Sequence, residues 1–172
     1  MKKCVFYLMA IALIVSSCGK SESEFDKELK QAYREMERTL YASALTNDEI
    51  SSTWRKAIFE NKTPSGKYCD DFNEAMKELS DSFAVIGVVD SIKAWTNHLL
   101  LLTSEMDEAP KSRKECYDDF VGLVSDVSSF SRLSTNPSGS LKDYQEKTSR
   151  MVDNFEKKID QFKIKYAKLL KD

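Results

Sequence analysis

Apolar side chains along most of this chain recur three and four positions apart, the period that places them on one face of an α-helix. Phe25, Leu29, Tyr33, Met36 and Leu40 predict a first helix from about Glu24 to Ala44. Thr46-Asn47-Asp48-Glu49 has the form of a capping box, in which a hydroxyl and a carboxylate satisfy the free amides of a new helix start. A second helix is therefore expected there, with Ile50, Trp54, Ala57 and Ile58 inward. A third is expected from near Lys67, with Tyr68, Phe72, Met76 and Leu79 in register. Ser80-Asp81-Ser82 offers N-cap chemistry and predicts a break. The fourth runs through Ile86, Val89, Trp95, Leu99, Leu102 and Met106, and the fifth through Cys116, Phe120, Leu123, Val127 and Phe130. The last is the clearest: after a cap at Ser140-Leu141-Lys142-Asp143, the positions Leu141, Tyr144, Thr148, Met151, Phe155, Ile159, Phe162, Tyr166 and Leu169 keep a spacing near 3.5, which is the seam of a bundle.

The three prolines divide these stripes. Pro64, Pro110 and Pro137 each sit among turn-forming neighbours, and proline both ends a helix and turns the preceding residue away from helical angles. Five glycines and three prolines in 172 residues are too few for a strand-rich fold with its frequent turns. No internal repeat or strand pattern interrupts the helical period. The expected architecture is all-α, an antiparallel bundle of about five or six helices.

The first residues follow a different rule. Met1-Lys2-Lys3 is basic, and Val5 to Val15 is an unbroken apolar run. Its length of about 11 suits a signal-peptide core and falls short of the ~20 residues that span a bilayer. Val15-Ser16-Ser17-Cys18 follows and resembles the bacterial lipobox, an aliphatic residue and two small ones before a cysteine. The resemblance implies lipid transfer to Cys18 and cleavage before it. An ordinary secretory signal with a chance cysteine is the alternative. The expected organisation is a lipoprotein signal peptide over residues 1–17, a lipidated cysteine and polar tether over 18–23, and the helical domain over 24–172. A lipid-anchored, extracytoplasmic place on a cell membrane or outer membrane goes with it. Two or more acyl chains make a stable anchor where one is marginal. Gly19 to Glu24 reads as a plain linker, although its acidic character resembles a surface-export signal of some Gram-negative groups.

Charge narrows the partners. The chain carries 26 basic and 28 acidic residues, and loss of Lys2 and Lys3 with the signal leaves the domain more acidic still. Nucleic-acid recognition leans on phosphate neutralisation, so no nucleic-acid partner is expected. Lys157, Lys158, Lys163, Lys165, Lys168 and Lys171 gather near the end of the chain. With Glu156, Asp160 and Asp172 between them they read as a solvated helix face, the alternative being a contact with anionic lipid headgroups.

No assembled chemistry emerges. With Cys4 in the signal and Cys18 at the anchor, Cys69 and Cys116 remain. Both fall just inside expected helix starts, so they suit either a disulfide at one end of the bundle or two separately buried thiols. His98 is the single histidine, which leaves zinc and di-iron sites without their usual ligands. It reads as a partly buried structural residue. The carboxylates Asp70, Asp71 and Glu74, and Glu115, Asp118 and Asp119, lie in expected first turns, where acids complement the helix dipole. There is no phosphate-cradling glycine loop and no serine elbow. No catalytic residue, metal or cofactor is expected.

One further likeness lies in the middle and last thirds. Trp54-Arg55-Lys56-Ala57-Ile58-Phe59, Asp71-Phe72-Asn73-Glu74-Ala75-Met76 and the Asn136-Pro137-Ser138-Gly139-Ser140-Leu141 turn resemble a loose group of small, helical, uncharacterised bacterial proteins. The resemblance implies a shared helical fold and carries no functional residue with it. Two functions suit these features. One is a non-catalytic module that binds another protein or an envelope component through its bundle surface. The other is a small-molecule carrier or sensor with a pocket between helices lined by Tyr33, Trp54 and Trp95, which otherwise read as core.

Overall fold

The computed structural model describes residues 20–171, and the expected signal segment with Cys18 lies outside them. Six α-helices and one 3₁₀ turn are present, and no strand is formed among the described residues. Helix α1 spans Glu22–Phe59, α2 Phe72–Ile86, α3 Val88–Glu105, α4 Lys114–Thr135, α5 Leu141–Lys165 and α6 Ala167–Leu170; the 3₁₀ turn Lys111–Arg113 precedes α4.

The two helices expected between Glu24 and Ile58 are one. At 38 residues and about 1.5 Å each, α1 is roughly 57 Å long. It starts at Ser21, whose side chain accepts from the Glu24 N–H at 3.2 Å. Thr46-Asn47-Asp48-Glu49 caps nothing: the Thr46 hydroxyl donates to the Ala42 carbonyl one turn back, at 2.9 Å. The core-facing stripe runs unbroken through Phe25, Leu29, Met36, Thr39, Ser43, Asn47, Ile50, Trp54 and Ala57. In its middle the buried residues are polar, so a pattern of apolar residues alone looks interrupted there. Thr39 Oγ1 donates to the Glu35 carbonyl at 2.8 Å, and Ser43 Oγ lies 3.0 Å from Ser131 Oγ on α4. Asn47 Oδ1 accepts from the Tyr144 hydroxyl on α5. That hydroxyl also lies 3.3 Å from the Leu133 carbonyl.

Cross-helix contacts define the topology. Glu35 meets His98 and Arg38 meets Trp95, so α3 runs antiparallel to α1. Asp26 meets Arg113 just ahead of α4, and Ser43 meets Ser131 within it, so α4 runs parallel to α1. Asn47 with Tyr144 and Tyr33 with Phe162 set α5 antiparallel. These four helices form an up-down-up-down bundle, and α2 packs beside it on α1 and α3. One core cluster lies between Phe25 and Leu170 and includes Phe120, Val127 and Phe162. A second joins Ile50, Trp54, Leu79, Phe130, Leu133 and Tyr144.

Three further boundaries differ from expectation. Helix α2 begins at Phe72, capped by Asp71, which accepts from the Asn73 N–H at 2.8 Å. Lys67 and Tyr68 instead close a tight turn with an isolated bridge between Lys62 and Tyr68, and Tyr68 points to solvent. Ser80-Asp81-Ser82 stays helical; the break falls at Gly87, whose φ of 65° is the left-handed conformation glycine takes without a Cβ penalty. In α3 the expected Leu99 and Leu102 are buried and Ile92 joins them, while Ile86 is exposed and Trp95 half-buried. The last stripe is broken at Tyr166, which ends α5 before the short α6. Ser140 does cap α5, accepting from the Asp143 N–H.

Because Tyr144 supplies the hydrogen bond that Asn47 Oδ1 receives, Tyr144→Phe strands a buried acceptor. A loss of about 1–3 kcal/mol is expected, read as a lower midpoint with unchanged slope in urea unfolding.

Candidate functional site

The site that the fold builds is a groove. At Gly87 the axes of α2 and α3 diverge by 61°, so α2 leans on the C-terminal half of α1 without closing against the end of α4. The space between them has a volume of about 520 Å³, within the roughly 300–1,000 Å³ of small-ligand pockets. Ile50 and Trp54 line it from α1, Phe72, Met76, Leu79 and Phe83 from α2, and Pro137 from beyond α4. These four residues of α2 recur at steps of four, three and four, an apolar stripe identical in form to a core face. Only its inner part is covered: Leu79 is buried, while Phe72, Met76 and Phe83 are half-buried.

Trp54 is held in place from two sides. Phe72 stacks on it with ring centroids 5.9 Å apart, and Tyr144 meets it edge-on at 5.1 Å, the offset and T-shaped geometries aromatic quadrupoles favour. Asp90, in the first turn of α3, is the one charged side chain on the lining. The hydroxyls of Ser134 and Thr135 both donate to the Ser131 carbonyl at 3.0 Å and are thereby turned to their own helix.

Of the three aromatics expected to share a pocket, only Trp54 lies here. Tyr33 stacks against Phe162 in the first core cluster, centroids 6.0 Å apart, and burial pushes its phenol pKa up. Trp95 lies under the Arg38 guanidinium at 3.9 Å, a cation–π contact on the outer side of α1 and α3. Phe72, Met76, Phe83 and Asp90 were not expected to line a pocket. The α2 stripe signalled the first two as core, and nothing in it distinguishes core from groove.

The cysteines form no bridge. Cys69 is buried with Ala57 and Ala75 near the C-terminal end of α1. Cys116 is buried in the cluster that includes Phe25 near its N-terminal end. Of the two arrangements that suited them, a disulfide at one end of the bundle or two separately buried thiols, the second is present, and they lie at opposite ends of the longest helix. Burial pushes both thiols up, that of Cys116 to about 12. His98 is exposed rather than partly buried, its Nδ1 3.2 Å from Glu35 Oε1. No cluster of three or more metal-ligating side chains occurs among the described residues.

Three of the six lysines near the chain end form ion pairs. Lys158 pairs with Asp126 and Lys163 with Glu37. Lys165 Nζ lies 2.7 Å from both Glu115 Oε1 and Asp119 Oδ2, and the Tyr166 hydroxyl donates to the same Asp119 oxygen. Acids that suit the helix dipole by position thus also tie α4 to α5. Among the described residues no single helix is long and apolar enough to cross a membrane; α2 and α3 reach that composition only as a bent pair. Comparison with protein-family models, curated proteins and solved structures finds no match to this chain.

The hydrogen bond from Lys165 holds the Asp119 carboxyl below its ordinary range. A depressed folded-state pKa contributes stability above the unfolded value of about 4, and that contribution is lost as pH falls through the folded value. Asp119→Asn should therefore cost up to about 1 kcal/mol at pH 7, the ceiling for a solvent-screened pair. The difference from wild type should vanish toward pH 2 in urea titrations.

Proposed function

We propose that this chain is a lipid-anchored binding module of the bacterial cell envelope, held at a membrane through Cys18, that takes an apolar ligand in the groove floored by Trp54 and performs no catalysis. The observation that carries the ligand reading is the groove itself, an aromatic-walled concavity of about 520 Å³ left open by the bend at Gly87. Its lining holds no pair of nucleophile and base: Asp90 and the serine and threonine hydroxyls are its polar side chains. Supporting the anchor are the basic start, the short apolar run and Val15-Ser16-Ser17-Cys18.

The two features belong together geometrically. Helix α1 starts at Glu22, close behind Cys18, and Trp54 is on the same helix, about 48 Å further along at 1.5 Å per residue. Acylation of Cys18 would leave the groove at the end of the bundle away from the bilayer, open to whatever the envelope contains. A second reading, docking of a protein or other envelope component on the bundle surface, is favoured by Phe59 and Tyr68, 73% and 75% exposed at the C-terminal end of α1.

The ligand reading is tested on residues 20–172 with the neutral fluorophore N-phenyl-1-naphthylamine. Binding should raise its emission and raise Tm by a few degrees, as expected for a ligand specific to the native state. Met76→Glu, which puts a charge on the groove wall, should weaken binding at least about tenfold. Absence of binding to the wild type rejects the ligand reading in favour of surface docking. The anchor is tested separately: radiolabelled palmitate should enter the full chain in bacteria and not its Cys18→Ala variant.

A further inference from the structure

The groove's electrostatics name a ligand class, and this step rests on the groove being a binding site. Asp90 has no ion pair and no side-chain hydrogen bond among the described residues, although it faces a cavity lined by no lysine or arginine. Two helix C-termini end on the same cavity: Phe83 and Ala84 in the last turn of α2, Ser134 and Thr135 in the last turn of α4. Helix C-termini carry negative partial charge. The last turn of α2 has no basic residue to offset it, and Arg132 of α4 lines a different cleft, with Leu100 and Val121. The N-terminus of α3 brings the opposite sign at Val89, and the Asp90 carboxylate there outweighs it. The walls are the rings of Trp54, Phe72 and Phe83, whose faces attract cations. A lone carboxylate gives too few oxygen ligands for a metal ion. An organic cation meets both the apolar walls and the negative mouth.

We infer that the groove takes an organic ammonium compound with an apolar body, the body lying against Trp54, Phe72 and Phe83 and the cationic head pairing with Asp90. An anion of the same shape is disfavoured by the carboxylate and by both helix ends. Because the carboxylate is exposed at the rim, its pairing adds selectivity to an affinity supplied by burial of the body.

The test uses three probes of similar shape on the full chain by isothermal titration: 4-phenylbutylamine, 4-phenylbutanol and 4-phenylbutyrate. The amine should bind about three- to tenfold tighter than the alcohol, and the carboxylate weakest. Asp90→Asn should bring the amine to the level of the alcohol while leaving the alcohol within about twofold of its wild-type affinity. Raising salt should shrink the preference for the amine and leave the alcohol unchanged. Equal wild-type affinities for amine and alcohol overturn the inference while keeping the groove as a binding site. A preference that survives Asp90→Asn overturns the role of Asp90. Failure of all three probes to bind removes the groove reading itself, and this inference with it. Thermal unfolding of Asp90→Asn at the wild-type Tm certifies that any lost preference is not lost folding.

Discussion

The hydrogen bond from the Tyr144 hydroxyl to the buried Asn47 side chain holds the middle of this molecule together. Along α1 the core face changes from apolar to polar between Thr39 and Asn47 and back again at Ile50. Burying a polar atom costs stability unless a partner meets it, and of the buried side-chain polar atoms between Thr39 and Asn47 only Asn47 Nδ2 has none among the described residues. Two of these residues, Thr39 and Thr46, are satisfied within their own helix. The other two reach across, Ser43 to Ser131 of α4 and Asn47 to Tyr144 of α5. A shift of either helix along α1 would leave those atoms unpaired, so the polar stretch selects one register where a purely apolar seam would accept several.

The same tyrosine ring transmits that register to the groove. Tyr144 meets Trp54 edge-on, Phe72 stacks on Trp54, and Trp54 forms the groove floor. The opening follows from a second local event, the left-handed glycine at 87. A helix continuing through that point would carry α2 and α3 as one rod; the bend instead leans α2 against α1 and leaves its outer stripe half-covered. An apolar face left half-covered between helices is where ligands generally find room, and the ammonium preference we infer rests on the Asp90 carboxylate and the negative helix ends on its lining.

At the opposite end of α1, charge joins the aromatic packing of Tyr33, Phe120, Phe162 and Tyr166 as the tie. Lys165 between Glu115 and Asp119, Lys158 at Asp126 and Lys163 at Glu37 clip α5 to its neighbours. These pairs are solvent-exposed and individually worth little; they orient the last helix over the buried Phe155, Ile159 and Phe162. The buried, unlinked thiols of Cys69 and Cys116 belong to the packing at either end.

The sequence by itself determined the helical class, the stripes of α4 and α5, the cap at Ser140 and the turns at the three prolines, because each rests on residues a few positions apart. It misjudged α1, since Thr46 to Glu49 has the residues of a helix start and whether a threonine caps or lies buried depends on what packs against it. It grouped Tyr33, Trp54 and Trp95 by residue type, and only the tertiary structure separated them into core, groove and surface. The groove residues Phe72 and Met76 were legible as a stripe, Phe83 was not because a break was expected at Ser80 to Ser82, and whether the stripe is covered depended on the bend between α2 and α3 at Gly87. Burial and exposure at these places are set by contacts between distant segments, and a local pattern holds no record of them.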